Sequence, residues 1–80
     1  MKECLELQHI AECCGICHVT VCERPDNQLS VNIQWKSETE VMAEQTIVCD
    51  PSCKKVHDLL IANGVEMSLA DRVCSHMKLN

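Results

Sequence analysis

Lys2–Cys14, KECLELQHIAECC, places Leu5, Leu7, Ile10, Ala11 and Cys14 near helical spacing and gives most of the other positions to Glu3, Glu6, Gln8 and Glu12. That spacing predicts an amphipathic helix over 2–14. Gly15 breaks the pattern, and the period then changes. HVTVC (18–22) alternates, and LSVNIQWK (29–36) alternates cleanly, with Leu29, Val31, Ile33 and Trp35 on one face and Ser30, Asn32, Gln34 and Lys36 on the other. Between them ERPDNQ is turn chemistry, because Pro25 fixes φ and Asp26 and Asn27 tolerate left-handed geometry, so the two runs form a hairpin. EVMAEQTIVC (40–49) fits a strand or a short helix, and a strand is favoured over its second half, where Thr46, Ile47 and Val48 are β-branched.

The C-terminal third is helical. Asp50 suits an N-cap, Pro51 a first helical position and Asn63-Gly64 a stop, which predicts a helix over 51–63. Ser68 and Asp71 resemble a capping box at the head of a second short helix through LADRVCSHMK. The expected architecture is a single α+β domain over residues 1–80. It has an N-terminal helix, a cysteine knuckle, a β-hairpin or three-stranded antiparallel sheet, and a C-terminal helix pair. The chain reads as complete from Met1.

A chain of 80 residues buries a small core, and this one has no Phe, no Tyr and the single aromatic Trp35. Eight cysteines are the obvious supplement, as disulfides or as metal ligands. The compartment argument favours metal. Glu3, Glu6, Gln8, His9 and Glu12 interrupt the N-terminus, so it lacks the apolar region of a signal peptide, and the longest aliphatic run, Leu59–Ala62, is too short for a bilayer. A cytoplasmic, reducing location follows, where clustered cysteines serve as ligands or catalytic thiols more often than as bridges.

Cys14 and Cys17 form C-x2-C around Gly15, and Cys49 and Cys53 form a second pair astride a helix start. Two separated pairs suit tetrahedral Zn²⁺, and the helix dipole at Cys53 favours the thiolate. Cys13 is an alternative to Cys14, and His57, one turn after Cys53, an alternative to Cys49. Four thiolates can also hold an iron–sulfur cluster. The order of knuckle, hairpin and helix-borne second pair, over roughly residues 13–63, resembles the treble-clef group of zinc fingers. That resemblance implies a closed, structural Zn²⁺ site in a zinc-stabilised fold. Cys4, Cys22 and Cys74, with His9, His18 and His76, are enough atoms for a second site, but their spacings carry no recognisable pair, and core filling is the favoured reading.

The composition excludes more functions than it selects. A site of four cysteines leaves zinc no open position, H-E-x-x-H is absent and no His-Asn-His constellation occurs, so the chain does not read as an enzyme. A C-x2-C thiol redox protein is the enzymatic rival, but a helix rather than a strand is expected before CGIC. A nucleic-acid-binding zinc finger is the other rival. Its requirement for clustered Lys and Arg is unmet, since the net charge is −5 and only Lys54 and Lys55 adjoin, beside Asp50 and Asp58. The reading is therefore a small acidic protein-interaction module, a regulator or inhibitor docking on a larger protein with a basic surface. Compact acidic chains of this kind resemble accessory proteins of phages and other viruses, by analogy alone. Its candidate docking surfaces are the polar face of the hairpin and the apolar residues Val65, Met67 and Leu69, which core packing also explains.

Overall fold

The computed structural model describes residues 4–11, 15–37 and 39–78. Four strands, β1 (Cys4–Ala11), β2 (Gly15–Glu23), β3 (Leu29–Lys36) and β4 (Val41–Cys49), precede two helices, α1 (Cys53–Ala62) and α2 (Met67–Met77). The strands form one antiparallel sheet in the order β1-β2-β3-β4. Sequential antiparallel neighbours need only short connections, and these the sequence supplies. In the β2–β3 turn the Arg24 amide donates to the Gln28 carbonyl at 2.8 Å, Asn27 sits at φ 63° and the Asp26 carboxylate accepts from the Arg24 Nε at 3.2 Å.

The expected helix over 2–14 is overturned, because its described part, from Cys4 to Ala11, is strand β1. CLELQHI also fits a period of two. Leu5, Leu7 and His9 stand opposite Val21, Val19 and Cys17, while Cys4, Glu6, Gln8 and Ile10 face the other way. Leu, Glu and Gln are good helix formers, but propensity is a weak prior, and pairing with β2 decides the conformation. The expected hairpin or three-stranded sheet is in fact four-stranded.

The zinc-stabilised fold is corrected as well. One core does the work that the metal was expected to do: Val19, Val21, Val31 and Ile33 from the sheet meet Val56, Leu60, Val65, Leu69, Ala70 and Val73 from the helical half. Of the apolar residues singled out for docking, Val65 and Leu69 belong to this core, and only Met67, 61% exposed, faces solvent.

α1 begins at Cys53, with Ser52 rather than Asp50 at the N-cap position and no side-chain cap bond. It ends in a Schellman motif: Gly64 at φ 84°, its amide donating to Ile61 at 3.0 Å, and the Val65 amide donating to Leu60 at 2.9 Å. α2 begins at Met67, so Ser68 lies inside it, and Glu66 at its head pairs with His9 of β1.

Asp50 holds the β4–α1 corner instead. Its carboxylate accepts from Lys55 Nζ at 2.5 Å and Gln28 Nε2 at 3.4 Å. The hydrogen bond from Lys55 and its charge hold the Asp50 carboxyl below the usual aspartate range. A lowered folded pKa gives stability that is present above the unfolded value and lost as pH falls through the folded one. The melting temperature of wild type should therefore exceed that of Asp50→Asn at neutral pH, and the two should converge below about pH 3.9. A constant difference down to about pH 2 would exclude this linkage.

Candidate functional site

Two of the expected metal ligands, Cys17 and Cys49, do not meet. Cys17 points into the core from β2, 4% exposed and opposite Trp35, whereas Cys49 ends β4 opposite Leu29. Six residue steps along β3, from Leu29 to Trp35, separate those two positions, roughly 20 Å along the strand. Two thiolates on one Zn²⁺ lie within about 4.6 Å of each other, twice the Zn–S bond of about 2.3 Å. Cys17 therefore cannot share a metal with Cys49 while β3 holds both ladders together. Cys14 and its alternative Cys13 lie outside the described residues. The imidazole of His57 is engaged with Asp71 of α2, Nε2 to Oδ1 at 2.9 Å. Among the described residues no group of three or more His, Cys, Asp or Glu is placed to hold a metal ion.

Protonation of the thiols agrees with this geometry. Burial pushes the Cys17 thiol up, and burial with the Asp50 charge nearby does the same to Cys49. Both shifts oppose the free thiolate that a redox nucleophile requires.

Sequence reasoning missed the pairing of Cys4 with Cys22, which form a disulfide bridging β1 and β2 at a Cα–Cα distance of 4.3 Å. The signal lies in the register: every β1–β2 pair, from Ala11 with Gly15 outward to Cys4 with Cys22, is centred on the same turn. Once residues 4–11 are read as a strand, the two cysteines fall opposite each other. The bridge also removes the ground for preferring metal to disulfide in this chain. Beside it lies an open cleft of about 310 Å³ lined by Cys4, Leu5, Glu23, His76 and Met77.

The surface with the clearest functional character is β4. It pairs with β3 on one side and is the last strand of the sheet on the other. The register slips once, between Trp35 and Lys36, so that Met42 is the extra residue, and the ladder from Ala43 to Cys49 is regular. The helices leave this end of the sheet open. Val41, Met42 and Val48 are exposed, Met42 by 67%, and Ala43 and Gln45 are exposed even on the face that the helices cover elsewhere.

Beyond the bulge at Met42, β4 carries no Lys and no Pro to protect its edge. Its one charge, Glu44, is turned back over the sheet, accepting from Gln34 Nε2 at 2.6 Å and Asn32 Nδ2 at 3.1 Å. Those hydrogen bonds, Gln34's first, hold the Glu44 carboxyl below its usual range and keep it from guarding the edge. Sequence periodicity could not show this, since a strand exposed on both faces from Val41 to Thr46 need not alternate there.

Among the described residues, Lys54 and Lys55 are the only adjacent cations. Arg24 pairs with Asp26, Lys55 with Asp50, and Lys36 Nζ lies 3.3 Å from His18 Nδ1 in the middle of the open sheet face. No helix among the described residues is long and apolar enough to cross a membrane. Compared with protein-family models, curated proteins and solved structures, the chain matches none of them.

Proposed function

We propose that this chain is a small acidic protein-binding module, a regulator that docks on a larger protein by adding an extended segment of that partner to the β4 edge. The observation that carries the reading is the regular edge ladder Ala43–Cys49, exposed from Ala43 to Thr46 and at Val48, whose only charged side chain is occupied by β3. Strand addition takes its affinity from main-chain hydrogen bonds and its selectivity from alternate side chains. Val41, Met42 and Val48 supply apolar contacts here, and the net charge of −5 favours a basic partner surface. The same acidity, with scattered and paired cations, weighs against nucleic acid. The buried, raised thiol of Cys17 weighs against a redox enzyme.

The test uses a displayed library of random dodecapeptides panned against the whole chain. Selected peptides should be extended and apolar with basic residues, and should slow amide exchange across 41–49. The double variant Met42→Lys/Val48→Lys alters two exposed positions and should weaken them about tenfold or more, the effect of losing about 1.4 kcal/mol. Peptides bound equally by wild type and variant would refute the edge as the site.

A second copy of the chain is the competing occupant. Antiparallel self-pairing about Gln45 would set Ala43 against Ile47 and Glu44 against Thr46, avoiding like charges. A dimer in sedimentation equilibrium that the double variant abolishes would assign the edge to self-association instead.

A further inference from the structure

We infer that Cys53 and Cys74 are a second disulfide-forming pair, which closes across the two helices and gives the chain two redox states. Cys53 is the first residue of α1 and is half-buried, while Cys74 lies on the buried face of α2, 8% exposed. The Cys74 Sγ donates to the backbone carbonyl of Cys53 at 3.4 Å, so the sulfur sits over the first turn of α1. The Cys53 side chain is its neighbour there, and burial together with the nearness of Cys53 holds the Cys74 thiol up at about 12. Among the described cysteines, Cys17 is at the far end of the sheet, Cys4 and Cys22 are already joined, and Cys49, the remaining free thiol, ends β4.

The accessibility difference sets the order of reaction with a small disulfide such as oxidised glutathione. The Cys53 thiolate attacks one glutathione sulfur, expels one glutathione thiol and forms a protein–glutathione mixed disulfide. Cys74 then loses its proton to solvent and attacks the Cys53 sulfur, and the second glutathione leaves as a thiol. Two protein thiols and one oxidised glutathione thus become one protein disulfide and two reduced glutathiones. The product ties α1 to α2 on the helical layer, while Cys4–Cys22 ties β1 to β2 in the sheet.

The experiment equilibrates the full chain in glutathione buffers of graded oxidation, traps free thiols with N-ethylmaleimide and maps tryptic peptides with fragmentation. At the poise that closes Cys4–Cys22, peptide 37–54 should be linked to peptide 73–78 through Cys53, with Cys49 alkylated. Cys53→Ser, at a half-exposed position, should fold as wild type and leave Cys74 alkylated on denaturation. It should also lose the part of the oxidative rise in melting temperature that exceeds the contribution of Cys4–Cys22. Recovery of wild-type Cys53 and Cys74 as alkylated thiols at that poise, or a link from Cys53 to Cys49, would overturn the inference.

Discussion

Replacing Gly15 with alanine is expected to remove roughly 2–5 kcal/mol of folding stability, combining the cost of a left-handed residue with that of a forced backbone shift. Gly15 sits at φ 99°, where an L side chain is strained, and a Cβ there would overlap the Lys36 carbonyl oxygen. Neither partner is free to retreat. Gly15 closes the β1–β2 ladder opposite Ala11, and Lys36 is paired with the next residue, Ile16. A shift that accommodated the methyl would loosen three strands at once. Against a total of about 4–12 kcal/mol for a chain of this size, the loss leaves little reserve. Gly64→Ala is the proper control, because its φ of 84° is also left-handed but the nearest atom to its Cβ is Trp35 Cζ2 at 3.8 Å. Urea unfolding should give Gly64→Ala only the backbone cost of about 1–2 kcal/mol. Equal midpoints for the two variants would show that the close approach at Gly15 carries no energy.

The contrast between β3 and β1 shows what the sequence made legible. Leu29–Lys36 alternates because the helices cover one face of a central strand, and the period reports that burial directly. β1 alternates just as regularly from Cys4 to Ile10, but in Leu, Glu and Gln, and a helix can be drawn through Leu7, Ile10 and Ala11 with equal ease. Only pairing to β2 separates the two readings, and pairing is not local. The helical half was legible because its punctuation is local: Gly64 ends α1 where a left-handed residue is needed.

The site was less legible for a related reason. Spacing along the chain suggested that Cys17, Cys49 and Cys53 converge, yet an antiparallel strand carries its two ends far apart. Conversely, Cys4–Cys22 and Cys53–Cys74 are distant in sequence and adjacent only through the sheet register and the helix packing. The β4 edge is defined by the absence of a neighbour, a property of topology.

Opening the Cys4–Cys22 bridge, by Cys4→Ser/Cys22→Ser or by reduction, is expected to cost about 3 kcal/mol from chain entropy alone for a loop of this length. The cost should fall unevenly. β1 is the other edge of the sheet, and it offers the core only the partly buried Leu5 and Leu7, whereas β2 and β3 contribute six residues that are 4% exposed or less. A strand with so little buried area depends on being held near its partner, and the bridge does this at the end of the ladder furthest from the β1–β2 turn. Amide exchange in the double variant should therefore accelerate first across Cys4–Ala11 while β3 stays protected. That pattern would mark β1 as the part of the fold whose stability is set by redox conditions. An unchanged denaturation midpoint under reducing conditions, with β1 amides as slow as before, would instead show that the His9–Glu66 pair and the α2 contacts hold the strand without the bridge.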